Sequence, residues 1–96
     1  MRIIFRKEAH FSLKEIRTYL AQRWTRKELE TLKKEINREL ENVSIGLVKH
    51  QEYSAGIFYA FVGKKNVKMF YTIEKNEILV LDFFSVKKDP ASIQLK

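Results

Sequence analysis

Three apolar runs, joined by connections of four residues or fewer, fill residues 56–86 and leave this chain few ways to fold. Gly56 to Val62 is rich in aromatics, Val67 to Glu74 alternates, and Ile78 to Val86 is apolar on both faces except at Asp82. Between them stand Gly63-Lys64-Lys65-Asn66 and Lys75-Asn76, which carry residues that tolerate turn backbones. Connections this short cannot make a parallel crossover, so consecutive runs must pair antiparallel. In the second run, alternation sends Val67, Met69, Tyr71 and Ile73 to one face, and Lys68, Phe70, Thr72 and Glu74 to the other. The third run reads as a central strand, covered on both sides. Pro90 ends the pattern, because proline has no N–H to give to a ladder.

A sheet with one apolar face needs a cover, and the first half of the chain supplies it. Ala9, Leu13, Ile16 and Leu20 recur at helical spacing, predicting a helix from about Glu8 to Arg23. Thr25-Arg26-Lys27-Glu28 has capping-box spacing, and Leu29, Leu32, Ile36 and Leu40 carry a second stripe to about Glu41. Glu30/Lys34 and Glu35/Glu39 are expected on the solvated side, the first pair helping the helix and the second opposing it. With only Trp24 and Thr25 between them, the helices form an antiparallel hairpin. Ile3, Ile4 and Phe5 read as a short strand, expected at or near the middle of the sheet because its neighbours in sequence are helical. Asn42 to Ala55 lacks a period and reads as a loop with one short extended piece. The order predicts an α+β fold: a short N-terminal strand, an antiparallel two-helix hairpin, then a three-stranded antiparallel meander completing a single sheet. Residues 1–96 make one domain, since 96 residues do not provide two cores.

Composition narrows the chemistry. Cysteine is absent, so no disulfide and no Cys-based zinc site exists, which fits a cytoplasmic protein. No apolar run reaches about 18 residues, and Met1 to Arg6 is too short and too charged for a signal peptide. The net charge is +7, shared between the halves: residues 1–48 carry 11 basic and 7 acidic residues, and residues 49–96 carry 8 and 5. A charge excess spread over the folded domain suits a phosphate or acidic protein partner. His10 and His50 have no companion ligand at helical or hairpin spacing, so no metal is expected, and three scattered glycines make no phosphate loop. No serine lies in a Gly-x-Ser-x-Gly elbow. Antiparallel order brings the start of one strand to the end of the next. It therefore gathers Lys64, Lys65, Lys68, Lys87 and Lys88 at one end of the sheet. Grouped cations there can hold phosphate, stabilise a charged transition state or dock an acidic peptide. Lysines at strand ends also serve to keep edges from aggregating. Most of the eleven Phe and Tyr side chains belong to the core, with one or two left for base stacking.

The order and local sequence resemble the RelE/ParE superfamily, the toxins of type II toxin–antitoxin systems, over nearly the whole chain. The resemblance rests on Arg2-Ile3-Ile4-Phe5, on Ala9-x3-Leu13-x2-Ile16-x2-Tyr19-Leu20, and on Trp24-Thr25-x2-Glu28-Leu29. It continues in Val67-Lys68-Met69-Phe70-Tyr71-Thr72-Ile73, and in Ile78 to Phe84 followed by Lys87-Lys88-Asp89-Pro90. It implies a growth-inhibiting toxin of the plasmid-stabilisation kind, neutralised by an antitoxin encoded beside it and needing no cofactor. Targets in the superfamily divide between DNA gyrase, poisoned by binding, and mRNA on the ribosome, which is cleaved. Lys68 matches the central-strand basic position, and Lys87 or Lys88 the basic position after the last strand. Residues 91–96 contain no Tyr or His to act as acid or base, which favours the gyrase branch. The alternatives are a metal-independent, ribosome-dependent endoribonuclease, in which Lys68, Lys87 and Lys88 steady charge while His50 shuttles a proton, and a degenerate, non-toxic binding module.

Overall fold

A computed structural model describes residues 1–86, so Lys87, Lys88 and the Asp89-Pro90 ending lie outside the described residues. The elements run β1 (Arg2–Phe5), α1 (Lys7–Leu20), α2 (Arg26–Ser44), β2 (Gln51–Ser54), β3 (Ile57–Val62), β4 (Val67–Glu74) and β5 (Glu77–Ser85). The strands form one sheet in the order β1-β5-β4-β3-β2. The α+β plan and the helix hairpin are as expected.

Two details differ from the sequence reading. The extended piece between the helices and the meander is a true strand: β2 pairs antiparallel with β3 through a bulge, so the meander has four strands. The first strand sits at the edge, not the middle, pairing parallel to β5 with Ile3 opposite Ile78 and Phe5 opposite Val80. The cause is local. Short turns occupy both sides of β3 and β4 and the inner side of β5, leaving β5's outer side as a docking line for β1. β5 is central, as its two-sided apolarity required, but only because β1 covers it.

The meander turns rest on left-handed backbone. Gly63, Lys64 and Lys65 have φ of 62°, 56° and 67°, and Lys75-Asn76 have 47° and 68°. Within β5 the register slips by one residue: Phe70 faces Asp82 while Tyr71 faces Val80, leaving Leu81 as the extra residue. The slip changes which parity faces the helices, so Ile78 and Val80 are buried before it and Phe83 and Ser85 after it. Beyond Phe5, no strand among the described residues lines the outer side of β5. There the Ser12 hydroxyl of α1 accepts from the Phe83 N–H at 3.1 Å.

The helices cover one sheet face. α1 lies on β5 and β1, and α2 lies on β3. α2 begins with the predicted capping box: the Glu28 N–H donates to the Thr25 hydroxyl at 3.2 Å, and the Thr25 N–H to the Glu28 carboxylate at 2.9 Å. Ala9, Ile16 and Leu20 of α1 and Leu32, Ile36, Leu40 and Val43 of α2 are buried against Val62, Val67, Met69, Tyr71 and Val80. Full burial of each such Leu or Ile contributes about 1.5–3 kcal/mol. Leu13 and Leu29, expected in the same stripes, are only half-buried because both border an open cleft in the helix layer.

Candidate functional site: a caged lysine on the open sheet face

The face of the sheet away from the helices carries Lys68. Its cross-strand neighbours are Phe61 on β3 and Phe84 on β5. Its ammonium lies 4.9 Å from the centre of the Tyr59 ring and 5.4 Å from that of Phe61. The ring faces hold the cation by their quadrupoles, which contributes about 0.5–2 kcal/mol and fixes the direction of the charge. Below it runs an aromatic cluster. Phe70 is buried on this open face because Tyr53, Tyr59 and Phe84 pack around it, with centroids 5.2, 6.0 and 5.9 Å away. Phe61 and Tyr53 remain exposed. The surface is an aromatic floor with an oriented positive charge at Lys68.

Lys64 and Lys65 stand exposed in the β3–β4 turn. The Val86 N–H donates to the Asn66 carbonyl at 2.9 Å, so β5 leaves the sheet beside that turn. The turn and the strand exit thus share one end of the molecule; Lys87 and Lys88, expected at that end, lie outside the described residues. Lys64 leans toward the helix layer, with its ammonium 3.7 Å from the Glu28 carboxylate. Gly63 fixes the turn: its N–H donates to Glu35 at 2.9 Å.

His50 is on the other side of the sheet. Its Nε2 lies 2.7 Å from Glu39 and its Nδ1 2.6 Å from the Tyr71 hydroxyl. Tyr71 and Lys68 are three residues apart on β4, so their side chains point to opposite faces. The structure therefore does not bring His50 together with Lys68. Burial, and secondly the nearby Glu39 carboxylate, push the Tyr71 phenol up to about 12. Glu35 and Glu39, expected in solvent, both turn to the sheet, one to the Gly63 N–H and the other to His50. Sequence reasoning missed this Glu39–His50–Tyr71 chain. The available signal was that Glu35 and Glu39 border the Leu32/Ile36/Leu40 stripe instead of opposing it. Among the described residues no group of three or more His, Asp or Glu gathers to hold a metal, and no helix is long and apolar enough to cross a membrane.

No protein-family model matches the chain, and no curated protein matches it by sequence. By shape it is similar to a chain of the solved structure described as the chromosomal ParDE TA system from P. aeruginosa. The TM-score is 0.69 at 12% identity, with 91% of this chain and 97% of that one covered. The architecture shared with that chain is two helices over one face of a five-stranded mixed sheet.

Proposed function

We propose that this chain is the toxin of a type II toxin–antitoxin pair and that it stops bacterial growth by binding DNA gyrase. The shared fold with a structure described as a ParDE TA system carries the reading. The open sheet face around Lys68, together with Lys64 and Lys65 and with Lys87 and Lys88 beyond β5, supplies the contact surface. A cation held over aromatic rings suits docking: it offers a pre-oriented charge and desolvated apolar area at small entropic cost. Cleavage of mRNA would need an acid or base at the same place, and the imidazole available to it is engaged across the sheet with Glu39 and Tyr71. The pair would act in the cytoplasm, with an acidic antitoxin neutralising this basic chain.

Induced expression in a bacterial host tests the reading, scored together for growth, DNA damage response and mRNA 5′ ends. Arrest with a damage response and intact mRNA is expected. Codon-phased mRNA ends would replace the gyrase reading with the ribonuclease one, and absence of arrest would leave a non-toxic binding module.

A further inference from the structure

The open sheet face does not carry one sign of charge throughout. Asp82 is the one charged residue in the apolar run from Ile78 to Val86. It stands opposite Phe70, as Phe84 stands opposite Lys68. Lys68 and Asp82 are therefore diagonal neighbours on β4 and β5, about 7–8 Å apart along the backbone, a gap that long side chains can bridge. They do not bridge it: among the described residues Asp82 has no ion pair. The Lys68 ammonium turns the other way, to Tyr59 and Phe61 on β3. Phe70 and Phe84 form the other diagonal of the same four residues, and their rings meet edge to face at 5.9 Å, between the two charges. One Asp82 oxygen accepts from the Phe83 N–H at 2.9 Å, which leaves the other to take a donor. Asp82 lines a cleft of about 300 Å³ with Ile57, Phe70 and Leu81, where the nearest cation, Arg6, is held by Glu8 at 3.3 Å.

From this geometry we infer that Asp82 determines the specificity of the open face, selecting a polypeptide and rejecting nucleic acid. The face offers a cation at Lys68, apolar area at Phe70 and Phe84, and an anion at Asp82. A polypeptide segment can match all three, with an acidic side chain on Lys68 and a lysine or arginine on Asp82. Two side chains at alternate positions of an extended strand stand about 7 Å apart, close to the backbone spacing of Lys68 and Asp82. A nucleic acid cannot match, because its charges all have one sign and follow one another at about 3.4 Å along a duplex strand. A strand held at Lys68 brings further phosphates over Asp82, within the Debye length of about 8 Å at physiological salt. With a net charge of +7 the chain attracts polyanions in general, so rejection at this face has to be local. An opposing charge at the right place is how an interface turns away a wrong partner. That the polypeptide belongs to gyrase rests on the function proposed above; the rejection of nucleic acid does not.

The test compares the purified chain with Asp82→Asn, Asp82→Lys and Glu30→Lys, each checked for folding by circular dichroism. Glu30 is exposed on α2, so Glu30→Lys changes the net charge as Asp82→Lys does, but away from the open face. The first assay follows binding of a fluorescent single-stranded RNA of about 12 nucleotides by anisotropy at physiological salt. Asp82→Lys should bind it about tenfold more tightly than the wild type, Asp82→Asn about threefold, and Glu30→Lys within about twofold. The second assay measures binding to purified gyrase without DNA. There Asp82→Asn and Asp82→Lys should each lose about tenfold in affinity, while Glu30→Lys should match the wild type. If Asp82→Lys does not fold, the near-isosteric Asn variant decides both assays. RNA bound as tightly by the wild type as by the folded Asp82 variants, or an equal gain from Glu30→Lys, would overturn the rejection of nucleic acid. Undiminished gyrase binding by folded Asp82→Asn would overturn recognition of a polypeptide through Asp82. No gyrase binding by the wild type would sink the proposed target instead, and the RNA assay would still decide what Asp82 does.

Discussion

Tyr71→Phe isolates the chain of hydrogen bonds that ties α2, the α2–β2 connection and β4 together. Tyr71 is 1% exposed, and its hydroxyl lies 2.6 Å from His50 Nδ1. At neutral pH, loss of that bond should destabilise the fold by about 1 kcal/mol, the usual net value for one buried hydrogen bond. The pH dependence is the sharper test. The phenol is raised from 10.0 to about 12, so the folded state holds its proton where the unfolded chain has lost it. That contribution is fully present below pH 10 and is lost as pH rises through 10 to 12. A shift of two units corresponds to about 2.7 kcal/mol in all, of which about 1.4 kcal/mol is gone by pH 11. Every other ionisable group is common to both proteins, so the difference between wild type and Tyr71→Phe reports the loss of the Tyr71 hydroxyl. Urea unfolding at pH 7, 9, 10 and 11 should show the wild type ahead at neutral pH, and the Phe variant level or ahead at pH 11. A separation that stays constant to pH 11 would refute the claim that burial withholds this proton.

Gly63→Ala should cost about 2–3 kcal/mol in urea unfolding, against about 1 kcal/mol for Gly56→Ala. Both glycines are left-handed, but a Cβ at Gly63 would meet Leu32 at 3.0 Å and Trp24 at 3.1 Å, while one at Gly56 meets nothing within 4 Å. Equal losses would mean that the turn is not pressed against α2. Thr25→Ala removes one half of the capping box and should lower stability by about 1 kcal/mol, with helix content otherwise preserved by circular dichroism. Lys68→Glu together with Lys87→Glu should abolish growth arrest while the protein stays folded. Wild-type arrest by that folded double variant would remove the sheet lysines from the account.

What the sequence made legible was whatever depends on near neighbours. The capping box at Thr25 and the bounds of β4 need only local spacing, and both are found where the residues put them. β2 was harder, because Gln51-Glu52-Tyr53-Ser54 is exposed at every position and so has no alternation to read. The place of β1 depended on which strand edges the meander left open, which its own four residues do not encode. Leu81 is invisible as a bulge because β5 is apolar on both faces, so a change of parity leaves no trace in its pattern. Lys68 was singled out from its position inside an apolar strand, but not its cage, since Tyr59 and Phe61 come from another strand. The Glu39–His50–Tyr71 chain joins three elements, and no local pattern announces such a meeting.

The central claim is that this chain binds gyrase through the face that carries Lys68. Purified chain added to a DNA supercoiling reaction with purified gyrase tests it most directly, with Lys68→Glu run alongside. The account predicts that the wild type blocks supercoiling and traps cleaved DNA, and that the folded Lys68→Glu variant does neither or needs a much higher concentration. Gyrase left fully active by the wild type, with mRNA cut when the same preparation meets translating ribosomes, would contradict it.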